Sequence, residues 1–120
     1  MDKIVLKNMA FYGYHGNLES EQAQGQRFFV DVEITTDLTK AGQSDLLEDS
    51  INYVEVYEIV ESVMTGEKRN LLERLGALIA DSLYQHYQGM VGLSVTVRKP
   101  SVPIAGILDY VEVVTTRGQV

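Results

Sequence analysis

Few side chains of this chain could carry chemistry, because the sequence has no cysteine and two histidines, His15 and His86. Without cysteine there is no thiol nucleophile and no thiolate metal site, and two histidines are too few for a three-histidine zinc site within one chain. The sequence has no Gly-x-Ser-x-Gly turn and no glycine-rich phosphate loop. We therefore expect no metal centre, and lysine, tyrosine and glutamate remain as groups for proton transfer.

Lys99 is the first of these candidates, because it ends a predicted strand and is followed by Pro100. A lysine in such a place is most often solvated. A stiff proline loop can instead hold the amine partly desolvated, which lowers its pKa toward neutrality and suits an acid or a base. The residues alone leave both interpretations open.

Three further candidates occur at predicted helix starts or in a short polar segment. Glu73 is the third residue after Asn70, which fits a capping box, the more frequent interpretation, although a carboxylate there can also bind a planar pair of donors. Tyr53 opens another predicted helix and either packs or presents its hydroxyl. Glu21 follows the aromatic stretch "FYGYHG" (residues 11–16), where a solvated charge is the ordinary state.

Length and composition limit the classes of protein that remain. The chain has 120 residues, so we expect one domain over residues 1–120, and 45% of them are hydrophobic, which argues against disorder. The net charge of −7 and scattered basic residues argue against nucleic-acid binding. The N-terminal stretch has no sustained apolar run, so we expect no signal peptide and no membrane span. The lack of cysteine fits a reducing compartment, and we expect a cytoplasmic protein.

Hydrophobic periodicity predicts four strands and two main helices. The strands are predicted at Ile4–Tyr14, Gln26–Leu38, around Leu93–Arg98 and at Leu108–Arg117. The helices are predicted from Tyr53 to Met64 and from an Asn70 cap to before Gly89. Residues 17–24 are expected to form one or two helical turns capped by Asn17, and residues 41–50 a polar loop.

The order of these elements, β-β-α-α-β-β, predicts an α+β fold. Both helices must bury their apolar faces on one side of an antiparallel four-stranded sheet, which gives two layers. An open sheet of this kind has two bare edges. We therefore expect copies of the chain to associate through those edges.

Several segments of the sequence are together typical of one family. They are "FYGYHG", "EQAQGQRFFVDV", "DLLEDSINYVEVY", "NLLERLGALIA" and "VTVRKPSVPIAG". In order and spacing, from about Lys3 to Arg117, the chain resembles the dihydroneopterin aldolases of folate biosynthesis. The resemblance implies the tunnelling fold, in which subunits pair at sheet edges into a ring of four, and two rings often stack into an octamer. It also implies a pterin substrate at subunit interfaces and a retro-aldol cleavage without metal, cofactor or Schiff base. Epimerisation of the substrate side chain to dihydromonapterin is the implied second activity.

The resemblance implies roles for five residues. Lys99 would be the general acid or base that moves the proton of the substrate side-chain hydroxyl. Glu73 would accept two hydrogen bonds from the pterin amino group and ring nitrogen, and Leu72 would contact the same ring through its main chain. Tyr53 of a neighbouring subunit would stack near the pterin and assist proton transfer. Glu21 would contact the substrate side chain or order a water beside Lys99.

In the stretch "FYGYHG" we expect Phe11, Tyr12 and His15 to be structural, with residues 14–18 lining the pocket of an adjoining subunit. The chain departs from the family pattern at Ala105, where proline is frequent, at Arg74, where histidine is frequent, and at Ile107 and Leu108. These departures leave the proposed site residues unchanged.

Two alternatives remain open at this stage. One is an epimerase of dihydroneopterin triphosphate, which would need basic residues such as Lys68, Arg69, Arg98 and Lys99 to gather near the site. The other is a ring-forming protein that binds a pterin without catalysis.

Overall fold

The fold is described by a computed structural model that covers residues 1–120. Its strands are β1 (Asp2–Gly13), β2 (Gln26–Thr36), β3 (Gly92–Lys99) and β4 (Val111–Gly118). Its helices are α1 (Glu19–Gln24), α2 (Thr39–Ser44), α3 (Tyr53–Met64) and α4 (Leu72–His86), with one 3₁₀ turn at Leu47–Asp49. None of the helices has the length and hydropathy that a membrane crossing requires.

The four strands form one antiparallel sheet in the order β1-β2-β3-β4. The predicted α+β class and the order of the main elements are confirmed. β1 carries a bulge between Leu6 and Met9, where Asn8 has a φ of 58°. The extra residue shifts the alternation of β1, so that Met9 and Phe11 face the helices. β1 and β4 are the two edges of the sheet.

One face of the sheet forms the core with α3 and α4. The alternation along the two central strands puts a fully buried side chain at every second residue on this face. These side chains are Phe28, Val30, Val32, Ile34, Leu93, Val95 and Val97. α3 packs over β1, while α4 packs over β3 and β4. The helices contribute the other half of the core with Val56, Val60, Met64, Leu75, Ile79 and Leu83.

α3 has the bounds that its periodicity predicts, because both local signals are present. Asn52 caps the helix, and its Oδ1 accepts a hydrogen bond of 3.0 Å from the Val54 main-chain N–H. The helix ends at Met64, just before Gly66.

Three local predictions are wrong. α1 is preceded by Leu18 rather than capped by Asn17, and α4 is preceded by Leu71 with no side-chain cap, so Asn70 does not form the predicted capping box with Glu73. The predicted polar loop at residues 41–50 contains the end of α2 and the 3₁₀ turn. Two short contacts order this segment, from the Ser44 hydroxyl to Asp49 at 2.6 Å and from Lys40 to Asp49 at 3.2 Å.

Candidate active site

Lys99 is the last residue of β3 and lies on the helix side of the sheet. The alternation of β3 that buries Val95 and Val97 continues to Lys99, which is 8% exposed. A lysine so little exposed needs a partner for its charge. Its Nζ forms an ion pair with Oε2 of Glu21, whose side chain is also largely buried. The structure therefore places Lys99 in a desolvated pair and rejects the solvated interpretation.

Glu21 is held as a carboxylate by its surroundings. It belongs to α1, and its Oε1 accepts a hydrogen bond of 3.2 Å from the Leu18 main-chain N–H. Burial by itself raises the pKa of Glu21, but the hydrogen bonds from Lys99 and from the main chain outweigh burial and lower that pKa overall. Glu21 is thus a carboxylate at neutral pH, and it faces the side chain of Lys99.

A cavity of about 340 Å³ opens beside this pair. That volume lies within the range of small-molecule sites. Its wall combines α1, the start of α4 and the loop after β3. The lining residues are Asn17, Leu18, Glu21, Asn70, Leu71, Leu72, Glu73, Lys99, Val102, Pro103, Ile104 and Val111. Four of the five predicted site residues (Glu21, Leu72, Glu73 and Lys99) thus come together in one chain.

Glu73 is available to a ligand, because it does not form the capping box that the sequence predicts with Asn70. It is exposed in the first turn of α4, where no side chain caps the helix. Asn70, its predicted partner, instead accepts a hydrogen bond of 3.1 Å from the side chain of Gln22. The carboxylate and the adjacent Leu72 both border the cavity. An acceptor at the first turn of a helix can bind neighbouring donors on a planar ring.

Gln26 is a structural part of the site that sequence reasoning missed. Its side-chain amide binds the main chain of Ser101 twice, donating to the carbonyl at 3.0 Å and accepting from the N–H at 3.1 Å. Ser101 is two residues after Lys99, so the contact anchors the loop that lines the cavity. No local signal reveals it, since the two residues are 75 positions apart.

The structure does not bring Tyr53 into the cavity of its own chain. Tyr53 is 63% exposed at the start of α3. Ile51, two residues before it, lies near Val91, at the end of the sheet where β3 begins. Lys99 ends the same strand, and at the usual rise per residue the two ends of β3 are about 24 Å apart.

His15 has a structural environment. It is 2% exposed, its Nε2–H donates to the Met64 carbonyl at 2.8 Å, and its Nδ1 accepts from the Arg69 main-chain N–H at 3.1 Å. Asn17 and Leu18 line the cavity of their own chain.

The described residues contain no group of three or more His, Asp or Glu side chains that could hold a metal ion.

Comparison with known proteins identifies the family. The family model described as dihydroneopterin aldolase matches residues 4–116. The chain belongs to the dihydroneopterin aldolase family. The dihydroneopterin aldolase of Bacillus subtilis is 42% identical over 117 residues, which cover 98% of each chain. Dihydroneopterin aldolase 1 of Arabidopsis thaliana is 39% identical over 113 residues, covering 93% of this chain and 77% of the relative.

A solved dihydroneopterin aldolase has the same fold. The structure of the Escherichia coli protein, in complex with neopterin, superposes with a TM-score of 0.89 at 25% identity. The match covers 98% of this chain and 100% of that one. The sequence-based identification of the family is therefore confirmed.

Proposed function

We propose that this chain, as a single domain over residues 1–120, cleaves dihydroneopterin to hydroxymethyl-dihydropterin and glycolaldehyde in folate biosynthesis, and that it works in the cytoplasm. The observation that carries the proposal is the buried pair of Lys99 and Glu21 at the wall of a cavity that Glu73 also borders. Glu73 can bind a ring that carries hydrogen-bond donors, and Lys99 can move a proton.

Glu73 and Leu72 are the groups proposed to hold the pterin ring. The exposed Glu73 carboxylate has two oxygens for the amino group and the neighbouring ring N–H of the pterin. Leu72 contacts the same ring through its main chain. The apolar loop residues Val102, Pro103 and Ile104 also line the cavity, where they can pack against the ring. We propose that a ring held in this way directs its side chain toward Lys99.

The proposed reaction needs one proton to be moved and returned. The hydroxyl on the second side-chain carbon loses its proton as the bond to the first carbon breaks, and that oxygen becomes the aldehyde of glycolaldehyde. The bonding electrons pass to the first carbon and into the ring C=N bond, which becomes an enamine. The first carbon then takes a proton, so the proton count balances.

Lys99 is the group proposed to shuttle this proton, directly or through a water, while Glu21 holds the amine in place. A group within hydrogen-bond reach can serve first as base and then as acid. Because the ring itself accepts the electron pair, we propose that neither a metal nor a Schiff base takes part.

Epimerisation follows from the same intermediate. If the enamine attacks the other face of the aldehyde before glycolaldehyde leaves, the hydroxyl carbon is rebuilt with inverted configuration. Slow release of glycolaldehyde would therefore favour dihydromonapterin as a side product.

The site is proposed to be completed by a second copy of the chain. Pairing of β4 of one copy with β1 of the next places the second copy's α3 beside the first copy's α4, because α3 covers β1 and α4 covers β4. The exposed Tyr53, Val54 and Tyr57 on α3 suit such a contact. Strands of closed sheets tilt, which displaces neighbouring copies along the strand direction and can bring Tyr53 toward the cavity. We propose a ring of four, with stacking into an octamer.

The triphosphate alternative is less well supported, because only Lys99 of the four basic residues named for it lines the cavity. Arg98 points to the opposite face of the sheet, where it binds Asp31 and Glu112 at 2.7 and 3.0 Å. Neither Lys68 nor Arg69 lines the cavity.

A pterin-binding protein without catalysis would not need the buried pair of Lys99 and Glu21.

The experiment is to incubate the purified protein with dihydroneopterin in the presence of a chelator and to measure both products. Formation of glycolaldehyde and hydroxymethyl-dihydropterin in equal amounts is expected. Binding without either product would favour the non-catalytic alternative. Faster epimerisation of the triphosphate, without cleavage, would favour the other one.

A further inference from the structure

Arg98 connects all four strands of the sheet on the face opposite to the helices. Its Nη2 donates to Asp31 of β2 at 2.7 Å, its Nη1 donates to Asn8 of β1 at 2.8 Å, and its Nε donates to Glu112 of β4 at 3.0 Å. The guanidinium also lies over the ring of Tyr110, 4.9 Å from its centroid. One side chain of β3 thus binds every other strand.

The network includes the main chain of β1 at its bulge. Asn8 has a left-handed φ at the bulge, and its main-chain N–H donates to Asp31 at 2.7 Å. Lys7 adds a contact of 3.3 Å to the same carboxylate. Burial raises the pKa of Asp31, but its bonds with Arg98 and Asn8 outweigh that effect and lower the pKa overall. Asp31 therefore stays charged, and its bonds to Arg98 are charge-assisted.

The position of Arg98 in the chain links this network to the active site. Arg98 immediately precedes Lys99, and the two side chains leave opposite faces of β3. After Lys99 the chain runs through residues 100–110 without a helix or strand. Arg98 holds the main chain just before this loop, and through Tyr110 and Glu112 it holds the main chain just after it.

We propose that Arg98 is a positioning residue for Lys99. By fixing the end of β3 to the other strands, it sets where the amine of Lys99 lies relative to Glu21 and the substrate hydroxyl. A shift of about 1 Å in the position of a catalytic group can lower turnover strongly. The pterin ring is held by α4, which Arg98 does not contact, so binding is expected to stay nearly unchanged. This inference rests on the proposed function.

The test compares Arg98→Lys with Arg117→Lys. Lysine keeps the charge but cannot reproduce the directional bonds of a guanidinium. Arg117 is a matched control, since it also donates from Nε to a carboxylate, Asp81, at 2.9 Å, but lies at the far end of β4. For Arg98→Lys we expect kcat to fall about tenfold or more with KM within about threefold of the parent value. Arg117→Lys should retain both constants.

A second readout separates positioning from a general loss of stability. Glu21 of α1 faces Lys99 of β3 and shares the cavity with Glu73 of α4. If Lys99 is displaced, the carboxylate of Glu21 loses the bond that lowers its pKa, so the acidic limb of the kcat profile should move to higher pH. A purely structural role of Arg98 would not move that limb.

Asp31→Asn is the second variant, because it weakens the same network without touching Arg98 itself. The same changes, smaller in size, are expected. Unchanged kcat in folded Arg98→Lys and Asp31→Asn, or an equal loss in Arg117→Lys, would overturn the inference while the parent protein remains active. A parent protein without activity would instead contradict the proposed function.

Discussion

At the residue scale, the proposed chemistry depends on one amine. Lys99→Ala removes the group proposed to move the proton but leaves the proposed ring-binding residues of α4 in place. We expect kcat to fall about a hundredfold or more, the usual contribution of a positioned acid or base. The affinity for hydroxymethyl-dihydropterin should change much less. Steady-state kinetics and calorimetric titration of the product measure the two quantities.

The control for this variant is Lys68→Ala, which removes an exposed lysine outside the cavity. It should retain full activity. Equal losses of turnover and affinity in Lys99→Ala would mean that Lys99 acts in binding rather than in proton transfer.

Glu73 is expected to show the reverse pattern. Glu73→Gln keeps the size of the side chain but removes its charge and turns one acceptor into a donor. The dissociation constant for the pterin should rise about ten- to a hundredfold, as expected for the loss of hydrogen bonds to a charged group. Turnover at saturating substrate should change less. Titration with hydroxymethyl-dihydropterin measures the affinity, and Glu67→Gln, at an exposed carboxylate between α3 and α4, is the control.

At the scale of elements, His15 joins the end of β1 to α3 and to the segment before α4. Burial lowers the pKa of His15 more than its hydrogen bond to Met64 raises it, and the nearby Arg69 lowers it further. The folded chain therefore resists a proton that the unfolded chain accepts below a pKa of about 6.5. The free energy of unfolding should fall as the pH drops through that value.

The measurement is the thermal midpoint between about pH 7.5 and about pH 5.5, above the range where carboxylates titrate. His15→Gln, although less stable at the upper pH, should lose this part of the slope. His86→Gln changes a half-exposed histidine and should keep it. The same slope in His15→Gln as in the parent protein would contradict the assignment.

The elements show which features a sequence pattern can predict. Alternation in β2 and helical spacing in α3 predict their type and nearly their bounds, because these patterns reflect burial on one face. The Asn70 capping box failed, because the motif is local while the true partner of Asn70 is Gln22, which is 48 positions away in the chain. A motif of four residues contains no information about a distant partner such as Gln22, which binds Asn70 in the folded chain.

For the candidate site, the sequence predicted which residues could take part but not how they contact one another. Composition left lysine, glutamate and tyrosine as candidates, and the family resemblance singled out the residues. The pairing of Lys99 with Glu21 and the clamp of Gln26 on Ser101 depend on strand register and on the path of the loop after β3. Neither periodicity nor propensity contains that information, so the contacts became visible in three dimensions alone.

At the scale of the whole molecule, one chain brings together four of the five residues of the proposed site. The cavity contains Lys99, Glu21, Leu72 and Glu73, while Tyr53 lies at the far end of the sheet. The edges at β1 and β4 are available for pairing with further copies. A head-to-tail contact of this kind closes into a ring when its rotation allows. We therefore propose that each active site lies between two chains.

Subunit mixing tests this central claim most directly. Lys99→Ala and Tyr53→Ala chains with different affinity tags are co-expressed, and oligomers that carry both tags are purified. Each variant alone should be nearly inactive. In mixed oligomers about a quarter of the sites should combine an intact Lys99 with an intact Tyr53 from the neighbour, and aldolase activity should return to that fraction of the parent value. Mixed oligomers that stay as inactive as the single variants would contradict a site shared between chains.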